Sequence, residues 1–187
     1  MPETNRTKYN PKIHHRRSIR LKGYDYSREG LYFITVCCQD RICRFGNIVN
    51  DEMQLNEYGQ IAHNEWMKLT ERFSNFELDV FQIMPNHMHG IILLNDISVG
   101  AGFTSAQNDG QPQGIAPTIG DIIGAYKSLV ANGCLEIYKS KNETMGKLWQ
   151  RNYYDHIIRN EQSYHRISEY IKNNPSNWEN DKFHQKR

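Results

Sequence analysis

Apolar residues recur along the chain at two spacings, and each spacing predicts one kind of element. Residues 31–38, "LYFITVCC", are mostly aromatic or β-branched and predict a buried strand. From Asn56 to Phe73 the apolar positions fall on one helical face, and Asn56 can cap the first turn, so this segment predicts a helix. Between these two segments, short apolar runs on either side of Asn50 and Asp51 predict a small hairpin.

The middle of the chain predicts two paired strands followed by a long loop. The runs "FELDVFQIM" (residues 76–84) and "HMHGIILL" (87–94) flank the turn-forming pair Pro85 and Asn86, so we expect them to pair antiparallel. Residues 95–117 are rich in Gly, Asn, Gln, Ser and Pro and show no period. They predict a flexible loop within the domain.

The last third of the chain predicts a helix, a strand and another helix. Thr118 can cap a helical pattern that continues towards Ile137, and residues 147–158 are a strand candidate. A further helix is predicted from Asn160 to a stop at Pro175. The complete order is strand, helix, strand, strand, helix, strand, helix. It predicts an α+β fold with a ferredoxin-like βαββαβ antiparallel sheet and an additional C-terminal helix.

The length and the charge distribution suggest one domain with tails. The 187 residues suit a single domain, which we place at residues 29–178, after an N-terminal arm at 1–28 and before a C-terminal tail at 179–187. The net charge of +2 is too small to indicate a partner, but residues 6–22 hold seven Lys or Arg and no acidic residue. This basic arm can bind an anionic polymer or be a solvated tail, and charge alone does not separate the two.

Nothing in the sequence indicates a membrane or a zinc site. The first thirty residues are polar and no apolar run reaches membrane-spanning length, so we expect a cytoplasmic protein without membrane partners. The four cysteines lack the repeated pairs of a zinc site, and we expect reduced thiols in the core. They are Cys37, Cys38, Cys43 and Cys134.

Two histidines one residue apart are the first candidate for chemistry. On a strand, His87 and His89 point to the same face and can bind one ion together, although two hydrogen-bonded histidines at a sheet edge would give the same pattern. On the last helix, Tyr170 and Asn174 are four residues apart and lie on one side. The amide oxygen of Asn174 can serve as a third ligand, or Asn174 can simply cap the helix before Pro175.

Several segments together resemble a known family. "PNHMHGIILL" resembles the His-hydrophobic-His strand of the single-tyrosine HUH transposases, and "SEYIKNNP" resembles their nucleophile helix. The REP-associated tyrosine transposases are more similar still, through "RRSIRLKGYDYSREGLYFITVCCQDRICRFG", "AYKSLV" and "LWQRNYYDHIIRNEQSYHRISEYIKNNPSNW" in the same order. The resemblance covers roughly residues 14 to 178 and is weakest in the long loop.

The resemblance implies an HUH catalytic domain at residues 29–178 and a role for each candidate residue. His87, His89 and Asn174 would be the metal ligands for Mg²⁺ or Mn²⁺, and Tyr170 would be the nucleophile. The implied reaction is cleavage of single-stranded DNA through a 5′-phosphotyrosine, followed by strand transfer. The implied substrates are single-stranded and hairpin DNA from repeated sequences, bound by a monomer or a homodimer.

Several further residues are candidates for binding DNA or for accepting the proton of the tyrosine. Glu169 and His156 are candidate bases, and Tyr153 and Tyr154 are available for stacking on bases, although we expect both tyrosines to pack in the core. Two other functions remain open, namely a hairpin-binding module without catalysis and a metal-dependent nuclease that uses activated water. The residues expected to bind DNA are Arg16, Arg17, Arg20, Lys22, Lys127 and Arg151.

Overall fold

One four-stranded antiparallel sheet organises the protein. We obtained a computed structural model, which describes residues 29–95 and 117–184. The sheet contains β1, β4, β5 and β6 in the order β4-β5-β1-β6, and β2 and β3 form a separate hairpin. The strands are β1 (Gly30–Cys37), β2 (Gly46–Val49), β3 (Glu52–Leu55), β4 (Phe76–Met84), β5 (His87–Leu94) and β6 (Tyr154–Ile158). The helices are α1 (Glu57–Met67), α2 (Leu69–Arg72), α3 (Ile119–Ser140) and α4 (Glu161–Lys172), with 3-10 turns at Gln39–Arg41 and Trp178–Asn180.

The predicted α+β class and the predicted order of the main elements are confirmed. The side chains of Asn56, Thr118 and Asn160 each accept a hydrogen bond from a backbone N–H in the first turn of a helix, so the predicted helix starts are correct. The antiparallel pairing of β4 with β5 and the β2–β3 hairpin are also as expected.

Three expectations from the sequence need correction. The single helix expected over 56–73 is interrupted at Lys68, whose ψ of −7° departs from the helical value of about −42°. The strand expected over 147–158 is regular only over β6, and before it Trp149 forms an isolated bridge with Cys38, the residue that follows β1. Among the cysteines, Cys43 is exposed, whereas Cys38 and Cys134 are buried as expected.

Some expectations fall on parts of the chain for which no structure is described. The basic arm at 1–28, nearly all of the loop at 95–117 and the last three residues lie outside the described residues. The arm includes Arg16, Arg17, Arg20 and Lys22. Within residues 29–95 and 117–184, none of the helices combines the length and apolar character that a bilayer-spanning segment needs.

The two faces of the sheet have different partners. On one face, Tyr32 and Ile34 of β1 pack with Trp66 of α1 and Tyr126 of α3 in the main core. Alternation along the strands directs the neighbouring residues to the opposite face. There a smaller cluster joins β1, β4 and β5 to α4 through residues that include Leu31, Phe33, Val80, Ile91, Tyr164, Ile167 and Ile171. His87 and His89 lie on this second face.

A close approach between α1 and β5 supports the strand that carries the histidines. A Cβ added at Gly90 would lie 2.8 Å from Cζ2 of Trp66 and 3.3 Å from Cβ of Phe81. We therefore expect Gly90→Ala to lower the free energy of unfolding by about 1–3 kcal/mol through overpacking. Urea denaturation measures this change.

The matched control is the same substitution on α3. A Cβ added at Gly124 would meet nothing within 4 Å, and the residue lies inside a helix. Gly124→Ala should therefore raise the free energy of unfolding by about 0.5–1 kcal/mol. Equal effects of the two substitutions would contradict the close packing of Trp66 on β5.

Candidate active site

The histidine pair is buried where β5 begins. In the β1–β5 register His87 lies opposite Cys37 and His89 opposite Thr35, and both imidazoles are fully buried. Their Nε2 atoms are 3.1 Å apart. Two ligands at about 2.1 Å from one octahedral ion, at right angles to each other, are about 3.0 Å apart. The spacing of the two nitrogens therefore suits shared coordination of one ion.

Asn86 determines which nitrogen of His87 faces the site. Its Nδ2 donates to the backbone carbonyls of Arg41 (3.0 Å) and Phe183 (2.9 Å), so its Oδ1 must face the imidazole. The Nδ1–H of His87 donates to that oxygen at 2.8 Å. Nε2 therefore carries the lone pair that a metal ion needs. Thr35 supports the second ring, because its Oγ1 is 2.8 Å from Nδ1 of His89.

We expect Asn86→Ala to weaken divalent-ion binding by about 10–100-fold, the usual effect of losing a residue that orients a ligand. Without the Asn86 side chain, the hydrogen bond that keeps the proton on Nδ1 of His87 and orients the ring is lost. Titration calorimetry with Mn²⁺ measures the affinity. Asn64→Ala, at an exposed position of α1, is the control and should leave it unchanged. An unchanged affinity in folded Asn86→Ala protein would show that His87 is oriented by other contacts.

Helix α4 brings Tyr170 and Asn174 to the histidines. Ile171 is buried against the second face of the sheet, which turns the adjacent side of the helix towards β5. The Tyr170 hydroxyl lies 3.1 Å from Nε2 of His89, and the residue is 39% exposed. Asn174 is 2% exposed, and its Oδ1 is buried with no hydrogen-bond partner among the described residues. The structure thus places all four predicted residues in one cluster.

Asp181 is a member of this cluster that sequence analysis missed. One ligand atom from each of His87, His89 and Asp181 can be chosen so that all lie within 4.8 Å of one another. Oδ2 of Asp181 accepts hydrogen bonds from Nδ2 of Asn174 at 3.1 Å and from the Tyr170 hydroxyl at 3.4 Å. Asp181 lies in the segment expected to be a tail, in which no periodic pattern indicates burial.

Aromatic residues in and just before that segment were the available signal. The Trp178 ring stacks against His87 with centroids 6.1 Å apart, and the Phe183 ring lies 4.4 Å from the same imidazole. Two aromatic residues, Trp178 and Phe183, occur within six positions in an otherwise polar segment, which indicates packing rather than a solvated tail. They hold the chain around Asp181 against the histidine pair.

Sequence comparison identifies a relative along nearly the whole chain. A Haemophilus influenzae (strain Rd) protein described as an uncharacterized protein is 45% identical over 181 residues, which cover 95% of this chain and 98% of that one. The chain belongs to the same family as that protein. No protein-family model matches the chain.

Structure comparison shows what fold this family has. A REP-associated tyrosine transposase, solved bound to a REP hairpin, superposes with a TM-score of 0.55 at 19% identity. The superposition covers 85% of this chain and 74% of the other. At that identity the likeness shows a shared fold. The family therefore has an α+β fold similar to that of a REP-associated tyrosine transposase.

Burial keeps the two imidazoles and the Tyr170 phenol of the site in their neutral forms. It lowers the pKa of His87 to about 4, although the Asp181 carboxylate opposes this shift. Burial also lowers the pKa of His89 well below its usual value, and the neighbouring His87 adds to the effect. For Tyr170, burial and then the Asp181 carboxylate raise the phenol pKa to about 12. The site thus offers two neutral imidazoles, the form that binds metal ions, and a protonated phenol.

The predicted DNA contacts on the described residues lie in and beside one loop. Nζ of Lys127 donates to the carbonyls of Gln150 (2.7 Å) and Arg151 (3.0 Å), so this lysine also holds the segment before β6. The Arg151 side chain is exposed. The candidate bases His156 and Glu169 are exposed as well, whereas the Tyr170 hydroxyl is within hydrogen-bond reach of Asp181.

Proposed function

We propose that the chain is a metal-dependent tyrosine transposase that cleaves single-stranded DNA and joins strands through a 5′-phosphotyrosine. The observation that carries this proposal is the Tyr170 hydroxyl, 3.1 Å from Nε2 of a histidine that is itself paired with a second histidine. A nucleophile and a candidate ion site thus meet at one point. The fold neighbour solved with a REP hairpin supports hairpin-forming DNA as the substrate.

The residues of the site fit a divalent ion such as Mg²⁺ or Mn²⁺. His87 and His89 offer lone pairs, Asp181 offers a carboxylate, and the buried Oδ1 of Asn174 lacks a hydrogen-bond partner among the described residues. Imidazole, carboxylate and amide oxygen together suit Mn²⁺ and Mg²⁺ better than a soft metal. When bound, the ion supplies positive charge that polarises the scissile phosphate and offsets charge in the transition state.

The chain itself supplies the nucleophile and a proton acceptor. With its pKa raised to about 12, the Tyr170 phenol is protonated at neutral pH and must lose its proton as it attacks phosphorus. Asp181 Oδ2, which accepts a hydrogen bond from that hydroxyl, is the group placed to receive it. The phenol oxygen then bonds to phosphorus as the bond between phosphorus and the 3′ oxygen of the neighbouring nucleotide breaks. That oxygen takes up a proton, from Asp181 or from solvent, and leaves as a hydroxyl. The new phosphodiester conserves bond energy, so another 3′-hydroxyl can attack it and be joined.

A cavity beside the nucleophile offers space for the DNA strand. Its volume is about 440 Å³, and its lining includes Tyr170, Arg166 and Lys182. The lining also contains the carboxylates of Glu169 and Asp181, and among its four charged groups Arg166 and Lys182 are the ones that can bind a phosphate group near the phenol. The remaining lining residues are mainly asparagines, whose amides can hydrogen-bond to sugar or base: Asn173, Asn174, Asn177 and Asn180.

The test is a covalent adduct on a denaturing gel. Wild-type protein is incubated with DNA hairpins that carry unpaired flanks, with Mn²⁺, Mg²⁺ or a chelator. Strands labelled at the 3′ end should shift to the protein's mobility with metal only, and strands labelled at the 5′ end should shorten without shifting. A shortened strand with a free 5′-phosphate and no adduct would indicate activated water instead. Binding without any cleavage would indicate a non-catalytic binding module.

A further inference from the structure

An aromatic surface lies beside Tyr170 on the edge of the sheet. β6 is an edge strand, and its register with β1 places Tyr154 opposite Thr35 and His156 opposite Phe33. Paired residues share a face, so these side chains lie on the same face as His89. The expectation that Tyr154 packs in the core is wrong, because it is 44% exposed. Side chains alternate between the two faces of a strand, so it is the neighbouring Tyr153 that lies on the opposite face and packs against the main core.

The aromatic rings form a continuous path to the nucleophile. Phe33 lies between the two exposed tyrosines, with ring centroids 6.2 Å from Tyr154 and 6.3 Å from Tyr170. Helix α4 packs on β4 and β5, and burial decreases along β6 from Ile158 to His156 and Tyr154. The corner of the face next to Tyr170 therefore presents rings to solvent.

Positive charge surrounds the same corner. Arg151 is exposed three residues before Tyr154, in the segment whose Gln150 N–H donates to the Cys37 carbonyl. Burial raises the pKa of the Cys37 thiol; the nearby charges of Arg41, Lys182 and Lys127 oppose that rise, and the Asp181 carboxylate adds to it. Four cationic residues thus lie around the end of β1 next to the histidines. Exposed rings with cations alongside are the combination that binds single-stranded nucleic acid.

We propose that Tyr154 and His156 form a stacking site for an unpaired base close to the phosphate that Tyr170 attacks. The inference rests on the proposed function, since it takes the unpaired flank of that DNA as its ligand. Residues two apart on one face of a strand are about 6.6–6.8 Å apart, twice the thickness of a base, so one base fits between the two rings. Stacking is tolerant of sequence because every base has a π-face.

The first measurement is the affinity for two fluorescein-labelled DNA hairpins in the presence of chelator, where no cleavage occurs. One hairpin carries an unpaired flank of eight thymidines and the other is blunt-ended. Tyr154→Leu should raise Kd for the flanked hairpin roughly 5- to 150-fold, the range for one lost base stack. Tyr154→Phe, which keeps the ring, should retain most of the affinity. Kd for the blunt hairpin should not change in either variant.

The second measurement locates the contact. A flank containing 5-iodo-deoxyuridine is photocrosslinked to the protein, which is then digested with trypsin. Phe33, Tyr154 and Tyr170 fall on three different tryptic peptides, at residues 29–41, 152–159 and 167–172. Mass spectrometry should find the crosslink at Tyr154 or His156 in the peptide 152–159. Tyr138→Leu, on α3, is the control for a tyrosine-to-leucine change away from this surface.

The outcomes separate the stacking site from the proposed function. If Tyr154→Leu binds the flanked hairpin as tightly as wild type, or if the crosslink falls only on other peptides, the stacking site is overturned. Adduct formation by wild-type protein would still stand in that case. If wild type forms no adduct but Tyr154-dependent binding of the flank persists, the proposed function is overturned and the stacking site is supported.

Discussion

Tyr170→Phe is expected to abolish the covalent protein–DNA adduct while leaving DNA binding intact. The phenol oxygen is the atom that would bond to phosphorus, and phenylalanine removes that atom while it preserves the ring that contacts Phe33 and His89. Loss of a nucleophile lowers turnover by at least about 10³-fold. The adduct should therefore fall below detection with 3′-labelled hairpin DNA in Mn²⁺. Hairpin affinity in chelator should remain within about twofold of wild type.

Tyr164→Phe is the matched control on the same helix. Tyr164 packs in the smaller cluster, and its hydroxyl interacts with Asp79, away from the histidine pair. This variant should form adduct at the wild-type rate, because it leaves the residues around the histidine pair unchanged. If the adduct persisted in Tyr170→Phe and disappeared in Tyr164→Phe, the nucleophile would be Tyr164 and the assignment to Tyr170 would be wrong.

Removal of the histidine pair should eliminate divalent-ion binding and cleavage together. We expect His87→Ala combined with His89→Ala to weaken Mn²⁺ binding by more than about 100-fold, because losing a residue that only orients a ligand already costs about 10–100-fold. Tyr170 and Asp181 remain in this variant, so residual adduct would show that the phenol can act without the ion site. Titration calorimetry and the adduct gel measure the two effects on the same protein preparation.

The double substitution also removes two buried rings, so its folding must be measured separately. Thermal unfolding followed by circular dichroism shows whether the variant retains the cooperative transition of the wild type. His165→Ala is the control, since this exposed histidine on α4 lies 3.5 Å from the Glu161 carboxylate of the same helix. It should keep both Mn²⁺ affinity and adduct formation. Wild-type Mn²⁺ affinity in the folded double variant would place the ion elsewhere.

Local pattern was sufficient to predict most elements of the fold. The alternation of "HMHGIILL" predicts that His87 and His89 share a face, and this placement follows from strand geometry wherever the strand lies in the sheet. The caps at Thr118 and Asn160 are equally local, because each side chain bonds a backbone N–H three residues away. The pair Tyr170 and Asn174 lies on one side of α4 for the same reason.

Contacts between distant segments could not be predicted in this way. Asn86 orients His87 only because the carbonyls of Arg41 and Phe183 lie near its amide, at sequence separations of 45 and 97 residues. Asp181 enters the site because Trp178 and Phe183 pack on the imidazole. Tyr154 is exposed because β6 is at the edge of the sheet and α4 packs on β4 and β5.

Local sequence pattern accounts for most of the elements, the shared face of the histidines and the shared side of the tyrosine and asparagine on α4. Each of these follows from backbone periodicity, which acts over a few residues. Long-range packing, in contrast, sets the position of the phenol next to the imidazoles and brings Asp181 beside them. The first depends on how the smaller cluster around Ile91 and Ile171 packs, and the second on the packing of Trp178 and Phe183 against His87, because packing between distant segments sets which sides of them meet.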